Sequence, residues 1–367
     1  MKIGILTFHK TNNYGASLQA YALCKYLCNN HIEAEVIDYQ NSKMENDYIK
    51  AYAVPSGLKA KLRYHIFFRK SQLTRKKAFA KFNTLINLSN DKYTEYSDMV
   101  SVAKNYDYIF VGSDQVWNYN ITNNDWNFFL SFVPPNKRVA YAASIGLDKL
   151  DYAHKGIVKS LLEGYSHIGV REHQAVSLLE SMGINNCELV VDPTLLLKKD
   201  DWSKLVGVPL VNKPYILLYS FGLTNEMRSF VTEMAESRNM KIVHIDGSPK
   251  NVFSKTWISA RGMGPVEWVN LFYYANIIAT NSFHGTAFSI NFEKEFYTEM
   301  LPPPAKVNSR LINILSILKL ENRIIEAGKC KASGTAVDYE TINEKLDELR
   351  EQSYKYIRDV VYGAQSN

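Results

Sequence analysis

A chain of 367 residues is too long for one ordinary core and suits two domains of about 150 to 200 residues each. With 46% hydrophobic and 22% charged residues it is neither disordered nor fibrous, and no apolar run approaches the roughly 18 residues of a membrane span. The net charge of +6 is concentrated: nine Lys or Arg and no acid lie between Lys59 and Lys81, so the rest of the chain is slightly acidic.

Along the chain, "MKIGILTF" gives a short apolar run, Ile3 to Thr7, which reads as a strand and is too short for a signal peptide. A cytoplasmic protein is therefore expected. A polar loop leads to the helix "SLQAYALCKYLCNN", and "AEVIDY" is the next strand. Cys24 and Cys28, one helical turn apart, read as reduced packing residues; with Cys187 and Cys330 they make no zinc-like or redox spacing, and no metal is expected. In the basic segment, Tyr64, Phe67, Phe68, Phe79 and Phe82 are interleaved with the charge. That pattern fits a helical hairpin near an anionic membrane surface, a partner for a phosphorylated ligand, or a helix pair with a solvated basic face. No nucleic-acid recognition motif accompanies it.

"YDYIFVGSD" and "KRVAYAASIG" are strands ending in small residues, "HIGV" is a strand feeding a helix closed by Gly183, and "CELVVDPTLLL" reads as the last strand of this half. After the polar linker "KKDDWSKLVGVPLVNKP" come the strand "YILLYSFG", the helix "NEMRSFVTEMAESRN", the strand "KIVHID", the helix "GPVEWVNLFYYA" and the strand "NIIATNSF". There, Ala275 to Ala279 reads as a buried strand and Ala287 to Phe292 as an apolar helix. "YETINEKLDELREQSYKYIRDVVYG" is a long amphipathic helix. The alternation predicts an α/β protein of two facing doubly wound domains: residues 1–200, with a basic insertion at about 55–90, and residues 210–335, followed by a helix over 338–362. Such sheets bind ligands beyond the carboxyl ends of their strands.

The candidate chemistry lies in those strand-end loops. In the first, Asn12, Asn13, Tyr14 and Gly15 suit a hydroxyl-rich or phosphate ligand, or form a plain turn with an Asn cap. Asp114, followed by Gln115, stands just past a buried strand, where a partly desolvated carboxylate can take a proton from a hydroxyl or can cap a turn. Arg171 in "VREHQA" can fork onto a carboxylate or phosphate, or can pair with Glu172 or Glu188. Arg261 in "SARGMGP" and Arg310 in "SRLINIL" are further cations near loop-to-helix junctions. In "ATNSFHGTAFSINF", the residues Ser282, His284, Gly285 and Thr286 set an imidazole at a helix start, where N–H groups and the helix dipole favour an anion; the plainer reading is a cap with the histidine packed beneath.

Taken together, "TNNYGASLQAYAL", "VGSDQVWN", "YAASIG", "VREHQA", "VVDPTLLL" and "TNSFHGTAFS" resemble the polysaccharide pyruvyl transferase family, in order, from Met1 to about Arg323. The resemblance implies a two-domain fold similar to GT-B glycosyltransferases. It implies an enzyme of capsule or exopolysaccharide biosynthesis that transfers pyruvate from phosphoenolpyruvate to a sugar diol, forming a cyclic ketal and releasing phosphate. Phosphoenolpyruvate is then a co-substrate, and no separate cofactor is expected. By the same resemblance, His284 matches the family's histidine before Gly, Asp114 its acid and Arg171 its anion-binding arginine; from these and the residue set, His284 is expected as the general acid, Asp114 as the base on the acceptor, and Arg171, Arg261, Arg310, Ser282, Gly285 and Thr286 at the donor. Asn12, Asn13, Tyr14, Gly15 and Gln115 would meet the acceptor. One position departs: some members carry Arg two residues before the histidine, and here it is Ser282. The basic segment suggests a lipid-linked acceptor and a peripheral contact through 59–81 at the inner membrane face. Two alternatives stay open: a GT-B glycosyltransferase using a nucleotide sugar, with Glu267 reaching a ribose, and an inactive relative that only binds glycans.

Overall fold

The computed structural model describes residues 1–147, 149–248, 254–301, 308–326, 328–331 and 334–363. In chain order the elements are β1 (Lys2–Leu6), α1 (Tyr14–Asn29), β2 (Glu33–Tyr39), α2 (Ser42–Ala51), α3 (Leu58–Phe67), α4 (Arg69–Asn83), β3 (Leu88–Tyr93), α5 (Tyr96–Val102), β4 (Tyr108–Val111), α6 (Tyr119–Thr122), β5 (Arg138–Ala143), α7 (Tyr152–Leu162), β6 (His167–Val170), α8 (His173–Glu180), β7 (Cys187–Leu189), α9 (Pro193–Leu196) and α10 (Lys199–Ser203). They continue with β8 (Tyr215–Tyr219), α11 (Asn225–Ser237), β9 (Lys241–Ile245), β10 (Trp257–Ala260), α12 (Pro265–Tyr274), β11 (Ile277–Thr280), α13 (Phe283–Asn291), β12 (Glu295–Glu299), α14 (Asn308–Ile317), β13 (Ile324–Glu326), β14 (Lys329–Cys330) and α15 (Tyr339–Tyr362).

The strands form two seven-stranded sheets, ordered β3-β2-β1-β4-β5-β6-β7 and β10-β9-β8-β11-β12-β13-β14. All pairs are parallel except the terminal β13–β14. Parallel strands covered on both faces read as continuous apolar runs, as "YIFV", "YILLY" and "IIAT" do. In β8, Ile216 and Leu218 face the α11 residues Met227 and Val231. Tyr219 on the other face packs edge-on against Trp268 of α12, which stacks on Phe272 and touches Phe288 of α13. The first sheet carries its own core around Trp117, Phe128, Phe129, Leu162 and Tyr165. No helix among the described residues is long and apolar enough to cross a membrane.

Two compact units result: Met1–Lys50, Asn83–Leu196 and Glu344–Asn367 form the first, and Ala51–Phe82 and Leu197–Asn343 the second. The basic segment, expected with the N-terminal domain, thus packs in the second unit. Long-range contacts hold it there. Arg75 pairs with Asp246, Arg261 donates to the Phe67 carbonyl at 2.6 Å, and the glycines of "RGMGP" admit α4: a Cβ on Gly264 would lie 2.5 Å from the Ala78 Cβ. From Glu344 onward α15 belongs to the first unit, where the Tyr356 hydroxyl donates to the Ala140 carbonyl at 2.7 Å.

Element boundaries differ from the sequence reading: β11 runs from Ile277 to Thr280 rather than from Ala275, α1 begins at Tyr14 rather than Ser17, and the linker holds α10. "CELVVDPTLLL" is a strand only as far as Leu189; Asp192 then accepts the Thr194 N–H, and Pro193 opens α9, a favoured first helical residue because it has no N–H to satisfy. Helix α13 begins at Phe283 rather than near Ala287, so His284, Gly285 and Thr286 lie inside its first turns.

Candidate active site

In each sheet the strand order reverses direction at one point: between β1 and β4 in the first, between β8 and β11 in the second. Loops leaving such neighbours diverge to opposite faces and open a crevice at the carboxyl ends. The first loop and the Asp114 turn follow β1 and β4; the His284 turn follows β11, with Ser220 and Phe221 after β8.

In the first unit, Gln19 of α1 ties the two loops together. Its Nε2 donates to Thr7 Oγ1 at 2.8 Å, and its Oε1 accepts the Ser113 N–H at 3.0 Å. Asp114 follows with φ of +72°, a left-handed conformation that a non-glycine residue keeps only where its surroundings enforce it. It is 8% exposed, and its Oδ1 accepts the N–H of Gln115 at 2.9 Å. The carboxyl ends of β4 to β7 bring Ser113, Asp114, Ser144, Arg171, Glu172 and Asp192 into one buried cluster. The Arg171 guanidinium donates to Asp192 at 2.8 Å and to Ser113 Oγ at 3.3 Å, and lies 3.5 Å from both Asp114 and Glu172. Burial, the largest influence, pulls the Arg171 pKa down, but Asp192, Glu172 and Asp114 outweigh it and hold it above its ordinary value. This cation is therefore surrounded by acids, which lessens what it can offer a second anion.

The first loop divides its residues. Asn13 caps α1 by accepting the Ala16 N–H at 3.3 Å, and Tyr14 and Gly15 are buried in the first turn, while Asn12 is half-buried. Gln115 Oε1 accepts from Asn118 at 3.2 Å. Sequence reasoning missed His9, Lys10 and Asp38. His9 Nε2 lies 3.0 Å from Asp38 Oδ1, its Nδ1 lies 3.2 Å from the Thr7 carbonyl, and Lys10 donates to Asp38 at 2.8 Å. Burial raises the Asp38 pKa, but His9 and Lys10 prevail and hold it down at about 2. The available signal was position: His9 and Lys10 lie just past β1, and Asp38 near the end of the neighbouring parallel β2.

In the second unit, the Asn281 side chain bridges the crevice, accepting the Phe221 N–H at 2.7 Å and donating to the Gly222 carbonyl at 3.3 Å. Ser282 is the N-cap of α13, its Oγ accepting the Gly285 N–H at 3.4 Å, while its carbonyl accepts the Thr286 N–H at 2.9 Å. The two N–H groups expected to meet an anion thus already donate within the cap. Gly285 is there for closeness: a Cβ would stand 2.3 Å from Thr280 Oγ1, the hydroxyl that joins β11 to the Tyr219 carbonyl. Thr286 is buried against Thr298. His284 is 7% exposed, with its ring edge-on to Phe283 at 5.2 Å, and the buried Arg310 of α14 lies over that same Phe283 ring at 5.9 Å. One aromatic ring therefore touches both the imidazole and a cation.

Arg261 is not part of this group. β10 is three places from β11 in the sheet, about 14 Å at the usual strand spacing, and its guanidinium lies over Phe68 at 4.5 Å. Burial lowers its pKa. Glu267 caps α12 by accepting the Gly264 N–H at 2.9 Å. Two further polar groups in this unit were not foreseen: Ser220 Oγ beyond β8 and Glu299 Oε2 at the end of β12 are buried without a hydrogen-bond partner among the described residues. Burial raises the Glu299 pKa.

The polysaccharide pyruvyl transferase profile matches residues 13–298, well over half of the chain and inclusive of both crevice loops bearing Asp114 and His284. The chain belongs to the polysaccharide pyruvyl transferase family. As a member of this transferase family it has a saccharide acceptor as the implied substrate. No curated protein matches the chain. Among solved structures, this chain is similar to Staphylococcus aureus MnaA in a structure with UDP, at 13% identity, covering 98% of this chain and 96% of that one with a TM-score of 0.51. It is also similar to UDP-GlcNAc 2-epimerase from Methanocaldococcus jannaschii (12% identity, 95% and 92% covered, TM-score 0.47) and to the Escherichia coli ADP-heptose heptosyltransferase II (10%, 96% and 100%, 0.40). The first of these likenesses fixes the fold as GT-B-like.

Proposed function

We propose that the protein transfers pyruvate from phosphoenolpyruvate to two hydroxyls of a sugar, forming a cyclic ketal and releasing phosphate. The observation that carries this reading is the imidazole of His284 beyond β11, at the reversal point of the second sheet and within the segment that matches the family. In the reading, His284 protonates the methylene carbon of phosphoenolpyruvate, which leaves cationic character on the central carbon. Asp114 takes the proton of the first hydroxyl as it attacks. The C–O bond to phosphate breaks, and the second hydroxyl closes the ketal. Of the two hydroxyl protons lost, one replaces the proton that His284 gave and the other departs with phosphate, so atoms balance.

The geometry supports a division of labour among the cations. Arg310, which shares Phe283 with His284, is the candidate partner of the donor's negative charge. Arg171, ringed by acids, is assigned to holding Asp114 in place. Catalysis in this scheme rests on placement and electrostatics.

Phosphate release from phosphoenolpyruvate, followed with candidate sugar acceptors, tests the scheme. His284→Ala should lower turnover more than about a hundredfold, the usual worth of a general acid, with an unchanged melting temperature. Full activity in that variant would reduce His284 to a packing residue. Calorimetry showing a nucleotide sugar bound and phosphoenolpyruvate not bound would replace pyruvyl transfer with glycosyl transfer.

A further inference from the structure

Helix α3 has two apolar faces. The inner one is anchored by buried Tyr64 and continues at Phe68, which lies beneath the guanidinium groups of Arg63 and Arg261. The outer one is a row at i, i+4 and i+8: Leu58, Leu62 and Ile66, exposed by 86%, 62% and 62%. At about 100° per residue this row lies on the far side of the helix from Tyr64. A single exposed leucine needs no explanation, but a row of three along one helix does. Its borders are basic and exposed, with Lys59 and Arg63 on one side and Lys61 on the other, and Arg69 and Lys70 follow at the start of α4.

We infer that this face docks the protein on an anionic lipid bilayer. The apolar row enters the boundary between headgroups and acyl chains, while lysine and arginine stems lie along it and keep their charges at headgroup level. Each such cation adds attraction to anionic lipid. Charge argues against a second copy as the occupant. A two-fold contact would set this patch, with no acid from Lys59 to Lys81, against itself, and lysine is depleted from the cores of protein interfaces. The row has a firm support, because the Arg75–Asp246 pair and the Arg261 bond to the Phe67 carbonyl fasten α3 and α4 to the second unit. The docking surface is independent of which donor the enzyme uses.

The full chain is sedimented with vesicles of phosphatidylcholine alone and of phosphatidylcholine mixed with phosphatidylglycerol. Binding to the mixed vesicles, weakened by added salt, is expected. Leu62→Glu with Ile66→Glu should reduce partitioning by about tenfold or more at an unchanged melting temperature. Lys59→Gln with Arg63→Gln should narrow the preference for mixed over neutral vesicles. The inference is overturned if the unmodified chain does not sediment with mixed vesicles or if the glutamate variant binds them as well as the original. It is equally overturned if sedimentation equilibrium shows a dimer that the glutamate variant dissolves, which would assign the row to a second copy.

Discussion

Among single residues, His244 gives the clearest solvent-dependent signature. Burial first, and the Arg228 charge second, push its pKa down from an ordinary 6.5 to about 4. The unfolded chain therefore takes up the proton first as pH falls. The stability this neutral imidazole contributes is fully present above pH 6.5 and is lost as pH drops towards about 4. The thermal midpoint should fall across that window, and His244→Gln should flatten the fall; an unchanged slope would show that other groups set it. The same scale explains what was legible at the site. Asp114, Arg171 and His284 were visible because each stands in a polar stretch just past an apolar strand. Glu172 was named as a partner for Arg171, but Asp192 and Ser113 meet it only because parallel strands far apart in sequence end side by side.

At the scale of the element, α13 is held by its cap and by close packing on β11. The Ser282 hydroxyl closes the helix cap. Ser282→Ala should therefore cost about 1 kcal/mol in denaturant unfolding, the usual worth of a serine cap. It should leave the apparent affinity for phosphoenolpyruvate nearly unchanged. A large rise in KM with unaltered stability would instead make Ser282 a donor contact. The sequence marked this strand-to-helix junction but set the helix start too late, because the small residues that resemble a turn are the ones that allow α13 to lie close on β11. Arg261 shows what else such a junction can hold. It stands near a loop-to-helix junction, and the glycines beside it admit the close approach of α4.

For the whole molecule, the decisive feature is that each unit is assembled from distant stretches of chain. The end of α15 completes the first unit: Arg350 donates to the Leu195 carbonyl at 2.8 Å, Ser353 accepts the Val191 N–H at 2.9 Å, and Tyr356, Val360 and Val361 are buried there. Removing residues from 344 onward should abolish the cooperative unfolding transition of the first unit while the second still melts, as followed by calorimetry. Two retained transitions would show that the helix is dispensable.

Local pattern determined the class of this protein. Strands covered on both faces must be continuously apolar, and helices between them must repeat about every 3.6 residues, so the alternation could be read from the chain alone. The candidate acid, imidazole and arginines were likewise visible from their places at strand ends. Only the tertiary structure decided the order of the strands, and with it the two reversal points that give the Asp114 and His284 loops their positions. It also decided which unit holds the basic helices and which arginine shares a ring with His284. Those outcomes depend on contacts between residues tens to hundreds of positions apart, whose packing energy leaves no periodic trace in the sequence around either partner.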